Sequence, residues 1–190
     1  MGRPAAGSSL VNPGSGPYRC PMRLAFKEWA VVVDALEQGH QSVILRKGGI
    51  AEGPGGFRPE HARFLLFPTW FHQQRDQVIP SAQLRFDELA GQRPPAESVR
   101  ITSWAEVVSW RKLASLAEAE ALRGAHVWRD EVVAGRFNWG PEPAIYALKL
   151  QIFRLPQPWS GPLLAAYGGC KSWVDLDVDV PTDGSLPVVP

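Results

Sequence analysis

The chain has 190 residues and a mass of 20.9 kDa, which is the size of one globular domain. Its composition, 45% hydrophobic and 21% charged, is typical of a folded protein and excludes a wholly disordered one. The formal net charge is only +1, so the chain as a whole creates no strong field that would attract nucleic acid or lipid. We find no apolar run of the ~20 residues that a membrane span requires and no secretory signal, and we therefore expect a cytoplasmic protein without membrane partners.

Cysteine and histidine are too sparse to suggest a disulfide framework or a metal site. Cys20 and Cys170 lie 150 positions apart and make neither a disulfide framework nor a four-ligand zinc site by themselves, which suits a reducing compartment. The four histidines are scattered without metal-ligand spacing. We therefore predict no cofactor and no bound metal.

The first third of the chain predicts two strands after an ambiguous segment. Residues 1–21 are rich in Gly, Pro and Ser, and we expect them to be disordered. In residues 24–39 the apolar side chains follow helical spacing up to a glycine, whereas three consecutive valines favour a strand; we prefer the helix. Residues 41–46 and 63–67 predict strands, and the Gly- and Pro-rich residues 51–59 between them predict a loop.

The central part predicts two long strands with two helices between them. After a polar stretch without a predicted element, residues 98–113 alternate in polarity over the length of a strand, and residues 144–155 do so more clearly. Between them, residues 115–123 predict a short helix with Ser115 as its N-cap, and residues 126–137 predict a second helix.

The C-terminal part completes an α+β fold. Residues 174–179 alternate aspartate with apolar side chains and predict one short edge strand. We expect a single globular domain over residues 22–180 and a flexible tail over residues 181–190. Because strands outnumber helices and no regular βαβ repeat appears, the fold class is α+β with a curved mixed sheet or a small barrel.

Four short runs along the chain carry a family resemblance: residues 26–30 (FKEWA), 45–50 (LRKGGI), 63–69 (RFLLFPT) and 168–173 (GGCKSW). In this order they resemble the uncharacterised bacterial domain-of-unknown-function family 1802, and the resemblance covers about residues 24–178. It implies no established activity and no catalytic residues. Members of that family are associated with Mrr-type restriction endonuclease domains, which implies a restriction or defence context and an Mrr-type nuclease partner.

A second resemblance concerns the fold. A helix that ends at Gly39, followed by the arginine-bearing strand of residues 41–46, is similar to the opening of ASCH and other PUA-like domains. The resemblance implies a PUA-like sheet or small barrel with flanking helices. It also implies binding of RNA or of modified bases. Gln41 and Ile44 stand where the ASCH pattern has a lysine and an acidic residue.

Arginine and tryptophan are unusually frequent. Arginine supplies 15 of the 20 basic residues, and eight tryptophans are spread along the chain. Arginine makes bidentate contacts with phosphate and stacks on rings, and tryptophan stacks on bases, so both are frequent in nucleic-acid recognition. The alternative is that the tryptophans fill the core.

The first candidate site follows the strand of residues 41–46. It consists of Arg46, Lys47, Gly48 and Gly49, two cations followed by glycines whose backbone amides can approach an anion closely. The alternative is a plain turn with solvated charges, and the spacing is not that of a P-loop.

The second candidate site flanks the strand of residues 63–67. The rings of Trp70 and Phe71 can stack on a base, and the polar side chains of the site can bond to a base edge or a phosphate. The alternative is that the aromatic residues belong to the core. The predicted binding residues are His61, Arg63, Thr69, Trp70, His72 and Gln73.

Two further candidates lie later in the chain. Arg136 stands beside an aromatic residue, which suits a cation–π contact or a phosphate contact, and packing explains it equally well. Lys171 and Ser172 belong to a second glycine-rich polar turn. Cys170 beside Lys171 has the surroundings of a nucleophile or, more simply, of a small buried residue.

The residues favour a non-catalytic module that binds DNA or RNA, with a modified or extruded base as a candidate ligand. A second hypothesis is an enzyme that acts on nucleotides or nucleic acid through His61, His72 and Cys170. A third is a structural partner-binding protein. The sequence lacks the acidic and Glu-x-Lys pattern of restriction nucleases and the common hydrolase motifs, which favours the first hypothesis.

Overall fold

The structure is a computed structural model, and it describes residues 21–47 and 61–189. Within them the strands are β1 (Met22–Trp29), β2 (Val43–Arg46), β3 (Arg63–Thr69), β4 (Ser98–Leu113), β5 (Ile145–Pro162), β6 (Trp173–Val180) and β7 (Leu186–Pro187). The α-helices are α1 (Ala30–Glu37), α2 (Pro80–Ala90), α3 (Leu116–Glu120) and α4 (Asp130–Asn138). Short 3-10 turns cover Arg75–Gln77 and Ala165–Tyr167.

The strands form one mixed sheet with the order β2-β5-β4-β3-β1-β6, and β7 pairs with β5 beside β2. Strands β1 and β3 are parallel, and the other pairs are antiparallel. The sheet is open, since β2 and β6 lie at its two ends. This confirms the predicted α+β class and the prediction that residues 41–46, 98–113 and 144–155 share one sheet.

The central strand β3 is buried on both faces of this sheet. Phe64 and Leu66 belong to one hydrophobic cluster, with α1, α4 and β2, whereas Leu65 and Phe67 belong to a second cluster with β6. Successive side chains of a strand point to opposite faces, so the two clusters lie on opposite sides of the sheet. This explains why β3 reads as a continuous apolar run rather than an alternation.

The segment predicted as one helix over residues 24–39 is instead a strand followed by a helix. Strand β1 pairs with β3 and β6, and its partners are long-range, as in the pairing of Ala25 with Leu65. The helix begins only at Ala30, and its three consecutive valines are all buried. The single-helix prediction was wrong at residues 24–29 because local spacing does not reveal strand pairing; in α1, packing outweighs the low helix propensity of valine.

Helix α2 lies in the polar stretch for which no element was predicted. It begins with Pro80 at its first turn, a common start signal, but Leu89 is its one fully buried residue. An ion pair also attaches it to α1, since Arg85 donates to both carboxylate oxygens of Asp34 at 2.7 and 2.9 Å. A helix with so narrow a buried face leaves only a weak hydrophobic pattern in the sequence.

The remaining elements follow the predictions with shifted ends. Ser115 caps α3, and Glu118 completes a reciprocal capping box, which confirms the predicted N-cap. The second predicted helix starts four residues late, at Asp130, because Trp128 forms a bridge with Val78 instead. Residues 181–189, expected as a tail, include β7. The predicted segment of residues 1–21 falls almost wholly outside the described residues, as does the predicted loop at 51–59.

Candidate functional site

A cavity of about 770 Å³ opens at one edge of the sheet. Because β1 and β3 are parallel, their C-terminal ends meet there, and Trp29 and Thr69 stand side by side in register. The end of β2 and the helix α4 form another part of the wall. Residues 93–99 and 163–172 complete it from distant parts of the chain.

Positive charge is concentrated in this cavity. Six cationic side chains line it against one carboxylate, although the whole chain carries only +1. A concave wall of one sign raises the local concentration of anions. The cations are Lys27, Arg46, Lys47, Arg93, Arg136 and Lys171, and the carboxylate is Glu28.

Two of these cations are bound to the protein's own carbonyl groups. Lys47 Nζ donates to the carbonyl oxygens of Phe137 at 2.9 Å, Glu142 at 2.6 Å and Ala144 at 2.8 Å, which uses all its donors. Lys27 Nζ donates to two carbonyl oxygens in the 163–172 segment, at 3.0 and 2.7 Å. Burial lowers the pKa of both ammonium groups, and Lys171 lowers that of Lys27 further.

Arg46 and Glu28 form the centre of the wall. Glu28 is only 5% exposed, and its Oε1 accepts the backbone N–H of Trp29 at 2.9 Å. Its Oε2 lies 3.6 Å from Nη1 of Arg46. The other Nη of Arg46 donates to the buried hydroxyl of Ser172, and the guanidinium lies 4.9 Å from the centre of the Phe26 ring. Arg46 is therefore fixed from three sides.

Arg136 is fixed by stacking alone. Its guanidinium lies 3.8 Å from the ring centre of Trp128, which is 2% exposed. Among the described residues it has no hydrogen bond or ion pair, and the same holds for Arg93 and Lys171. Burial lowers the pKa of Arg136, Arg46 lowers it further and Glu28 raises it, so these three charges act on one another.

Aromatic side chains line the same cavity. Trp29 packs edge-on against Trp128, with 4.8 Å between ring centres, and Trp70 packs partly against the core. Phe71 is 62% exposed, and the guanidinium of Arg93 lies 5.6 Å from its ring centre. An exposed ring in a cationic cavity offers a stacking surface to a base.

The sequence matches the model of a family described as a domain of unknown function, DUF1802, over residues 25–190. The chain belongs to this family. The resemblance carried by the four sequence runs is thus confirmed. No curated protein matches this DUF1802 chain.

Solved structures similar to the DUF1802 chain include ASCH from Zymomonas mobilis. That structure is 13% identical, with a TM-score of 0.45 over 80% of this chain and 86% of that chain. A mutant of the same protein is 17% identical, with a TM-score of 0.46 over 80% of this chain and 88% of that one.

Eight of the residues predicted from the sequence of this DUF1802 chain line the cavity. They come from four separate segments of the chain, which local sequence patterns do not bring together. His72 is exposed and has a positive φ of 62°. The eight are Arg46, Lys47, Thr69, Trp70, His72, Arg136, Lys171 and Ser172.

The other predicted residues lie elsewhere. Arg63, at the start of β3, donates to Oε1 of Glu106 at 3.0 and 3.1 Å and does not line the cavity. His61 packs edge-on against Trp173, and Gln73 Oε1 accepts the N–H of Val31 at the start of α1. Gly48 and Gly49 lie outside the described residues.

Glu28, Lys27 and Arg93 are cavity residues that the sequence analysis did not select, whereas Phe71 was expected to stack on a base. Adjacent charges such as Lys27 and Glu28 usually lie on a solvated face, so the sequence carries no local signal that Glu28 is buried. Within residues 21–47 and 61–189, no three His, Cys, Asp or Glu side chains are grouped to hold a metal ion. The helices of these residues include none long and apolar enough to cross a membrane.

Proposed function

We propose that this DUF1802 chain is a non-catalytic module that binds nucleic acid through the cavity. The observation that carries the proposal is the ratio of six cations to one carboxylate around a space that also contains exposed aromatic surface. Cationic and aromatic side chains together are the means by which proteins bind single-stranded nucleic acid. The rest of the chain is net negative, since the cavity lining is more positive than the whole chain, and this makes binding local rather than spread over the surface.

The size of the cavity favours a single nucleotide unit. Its volume of about 770 Å³ falls within the range of small-molecule sites, roughly 300–1,000 Å³. A duplex does not fit into such a space, so the ligand is a nucleotide of a single strand or one extruded from its stack. We include a modified base in this proposal, because recognition of a modified base is a reason for a protein to enclose a single base.

Each type of cavity residue has a role in this proposal. Phe71 and Trp70 stack on the base, which contributes about 1–3 kcal/mol per base. Thr69 and His72 bond to polar atoms of the nucleotide. Lys171 supplies charge. His61, Arg63 and Gln73 have protein partners outside the cavity and are left out.

The enzyme hypothesis relied on His61, His72 and Cys170 as one group. His72 and Cys170 line the cavity, whereas His61 packs on Trp173 and does not. We therefore keep the binding module. A restriction or defence context with an Mrr-type nuclease partner is supported by the association of the family alone, and co-purification with a co-expressed Mrr-type nuclease tests it.

The test of the binding function is a titration of fluorescently labelled single- and double-stranded DNA and RNA at several salt concentrations. We expect saturable binding that is tightest for a single strand. Arg93, Arg136 and Lys171 have no hydrogen bond or ion pair among the described residues. If each contacts one phosphate of the strand, the slope of log K against log salt is about −2 for a single strand. Absence of saturable binding to all four probes would refute the module.

A further inference from the structure

Arg136 lines the cavity, and its guanidinium lies over the ring of Trp128. Its face is occupied, since it lies 3.8 Å from the ring centre of the buried Trp128. Stacking uses the π face of a guanidinium and leaves its N–H donors, which lie in the plane, unoccupied. Within the part of the chain that the structure describes, no oxygen accepts from them.

The charges around Arg136 are not balanced. Glu28 is the one carboxylate among the described residues that line the cavity, and it already lies 3.6 Å from Arg46. Two guanidinium groups thus share one carboxylate. A partly buried cation without a counter-charge is costly, and an anion that enters the cavity removes this cost.

The in-plane donors of a guanidinium match two oxygens of a phosphate or carboxylate, and a nucleotide has only phosphate. We propose that Arg136 binds one phosphate group of the nucleotide through two parallel N–H donors, with Arg46 as the second positive charge. This inference rests on the proposed function for its choice of phosphate among anions. Trp128 is a positioning residue, because its ring fixes the orientation of the Arg136 guanidinium.

Arg46 and Arg136 have different roles in this site. The guanidinium of Arg46 already donates to the Ser172 hydroxyl and pairs with Glu28. Arg46 therefore contributes positive charge to the site and helps to shape its wall. Arg136 makes the directional contact, because its donors are available. Glu28 keeps Arg46 in place and limits the net charge of the site when no phosphate is bound.

The first experiment uses the wild-type chain and needs no folded variant. Phenylglyoxal modifies accessible guanidinium groups, and mass spectrometry of peptides gives the rate at each arginine. We expect inorganic phosphate and adenosine 5′-monophosphate to slow the modification of Arg136 and to leave that of Arg111 unchanged; Arg111 is an exposed arginine outside the cavity lining. Adenosine does not protect. Equal protection by adenosine, or no protection by either phosphate compound, would overturn the inference.

The second experiment compares Arg136→Gln with Arg111→Gln in calorimetric titrations of the monophosphate. We expect roughly a 10- to 100-fold loss of affinity for Arg136→Gln and no change for Arg111→Gln, from the strength of hydrogen bonds to charged groups. An unchanged affinity in a folded Arg136→Gln variant would contradict the site. If that variant does not fold, the protection of Arg136 from phenylglyoxal in the wild-type chain tests the inference instead.

Different experimental results would refute the nucleic-acid function and the phosphate site at Arg136. If oligonucleotides bind but phosphate does not protect Arg136, the module stands and the phosphate site is overturned. If both phosphate compounds protect Arg136 with equal affinity and no oligonucleotide binds, the phosphate site stands as a site for free phosphate. The nucleic-acid function is then refuted.

Discussion

Lys47 Nζ, at the end of β2, donates a hydrogen bond to the carbonyl oxygen of Phe137 in the last turn of α4, at 2.9 Å. The same ammonium donates to the carbonyl oxygens of Glu142 and Ala144, so it closes the C-terminal end of the helix and the start of the following strand. The ammonium is a second donor to the Phe137 carbonyl, which also accepts the N–H of Ala144 at 3.2 Å, and a cation is favourable at the C-terminal end of a helix. Lys47 is therefore part of the cavity wall, which positions Arg46 beside it.

We expect Lys47→Met to lower the free energy of unfolding by about 1–3 kcal/mol, because three carbonyl groups lose a charged donor. Urea denaturation measures this. Lys149→Met is the matched control, since Lys149 is an exposed lysine of β5 outside the cavity lining, and we expect a change within about 0.5 kcal/mol. Equal effects of the two substitutions would show that the carbonyl contacts contribute nothing.

Phe71→Ala is expected to weaken binding of a single-stranded oligonucleotide by about 1–3 kcal/mol without a change in the salt slope, because stacking releases no counterions. Fluorescence titrations at three salt concentrations measure both quantities. Trp139→Ala is the matched control, since Trp139 is 57% exposed and outside the cavity, and Phe71 is 62% exposed. A loss of affinity that is as large for Trp139→Ala would argue against stacking in the cavity.

Lys171→Ala is expected to reduce the magnitude of the salt slope by about 0.7 and to weaken binding equally for all single-stranded sequences, since it removes one phosphate contact. The thermal midpoint should not move, because Lys171 is exposed and has no hydrogen bond or ion pair among the described residues. Lys149→Ala serves as its control. An unchanged slope with Lys171→Ala would remove this residue from the interface.

His126 makes stability depend on pH. It is 3% exposed, its Nδ1 accepts the N–H of Trp128 at 3.2 Å, and its Nε2 has no partner among the described residues. Burial lowers its pKa below the ordinary 6.5, with Arg136 and Arg123 lowering it and Asp130 raising it. The unfolded chain therefore binds the proton more readily, and stability falls as the pH drops below about 6.5.

We expect the free energy of unfolding of His126→Asn to depend less on pH between 7 and 5 than that of the wild type. The difference is at most about 1.4 kcal/mol for each unit by which the pKa differs between the two states. Urea denaturation at five pH values measures it. His40→Asn is the control, since His40 is an exposed histidine outside the core. Parallel curves for wild type and His126→Asn would contradict the assignment.

Local chemistry explains which elements the sequence predicts. Strand β4 has the predicted bounds, Ser98–Leu113, and Ser115 caps α3, because alternation and capping involve neighbours in the sequence. Strand β5 continues beyond Leu155 to Pro162, although prolines such as Pro156 and Pro158 are unfavourable within a central strand. They lie in a register irregularity between Arg154 and Trp159, where the regular ladder is interrupted.

The cavity itself is less accessible to sequence reasoning, because its parts are distant in the chain. The carbonyl groups that accept from Lys47 lie 90 or more residues away from it in the sequence. The Ser172 hydroxyl that accepts from Arg46 lies 126 residues away. Arg63 resembles Arg46 in the sequence, since both are arginines at a strand end, yet it pairs with Glu106. The tertiary structure separates the two, since Arg46 lines the cavity and Arg63 does not.

The most direct test of nucleic-acid binding in the cavity is ultraviolet cross-linking of a single-stranded oligonucleotide to the wild-type chain, followed by mapping of the linked peptides. We predict links at Phe71 and Trp70 and none at the exposed Trp139, and we predict that excess unlabelled oligonucleotide abolishes them. Links at Trp139 of equal yield, or a saturably bound oligonucleotide without links in the cavity, would contradict the account.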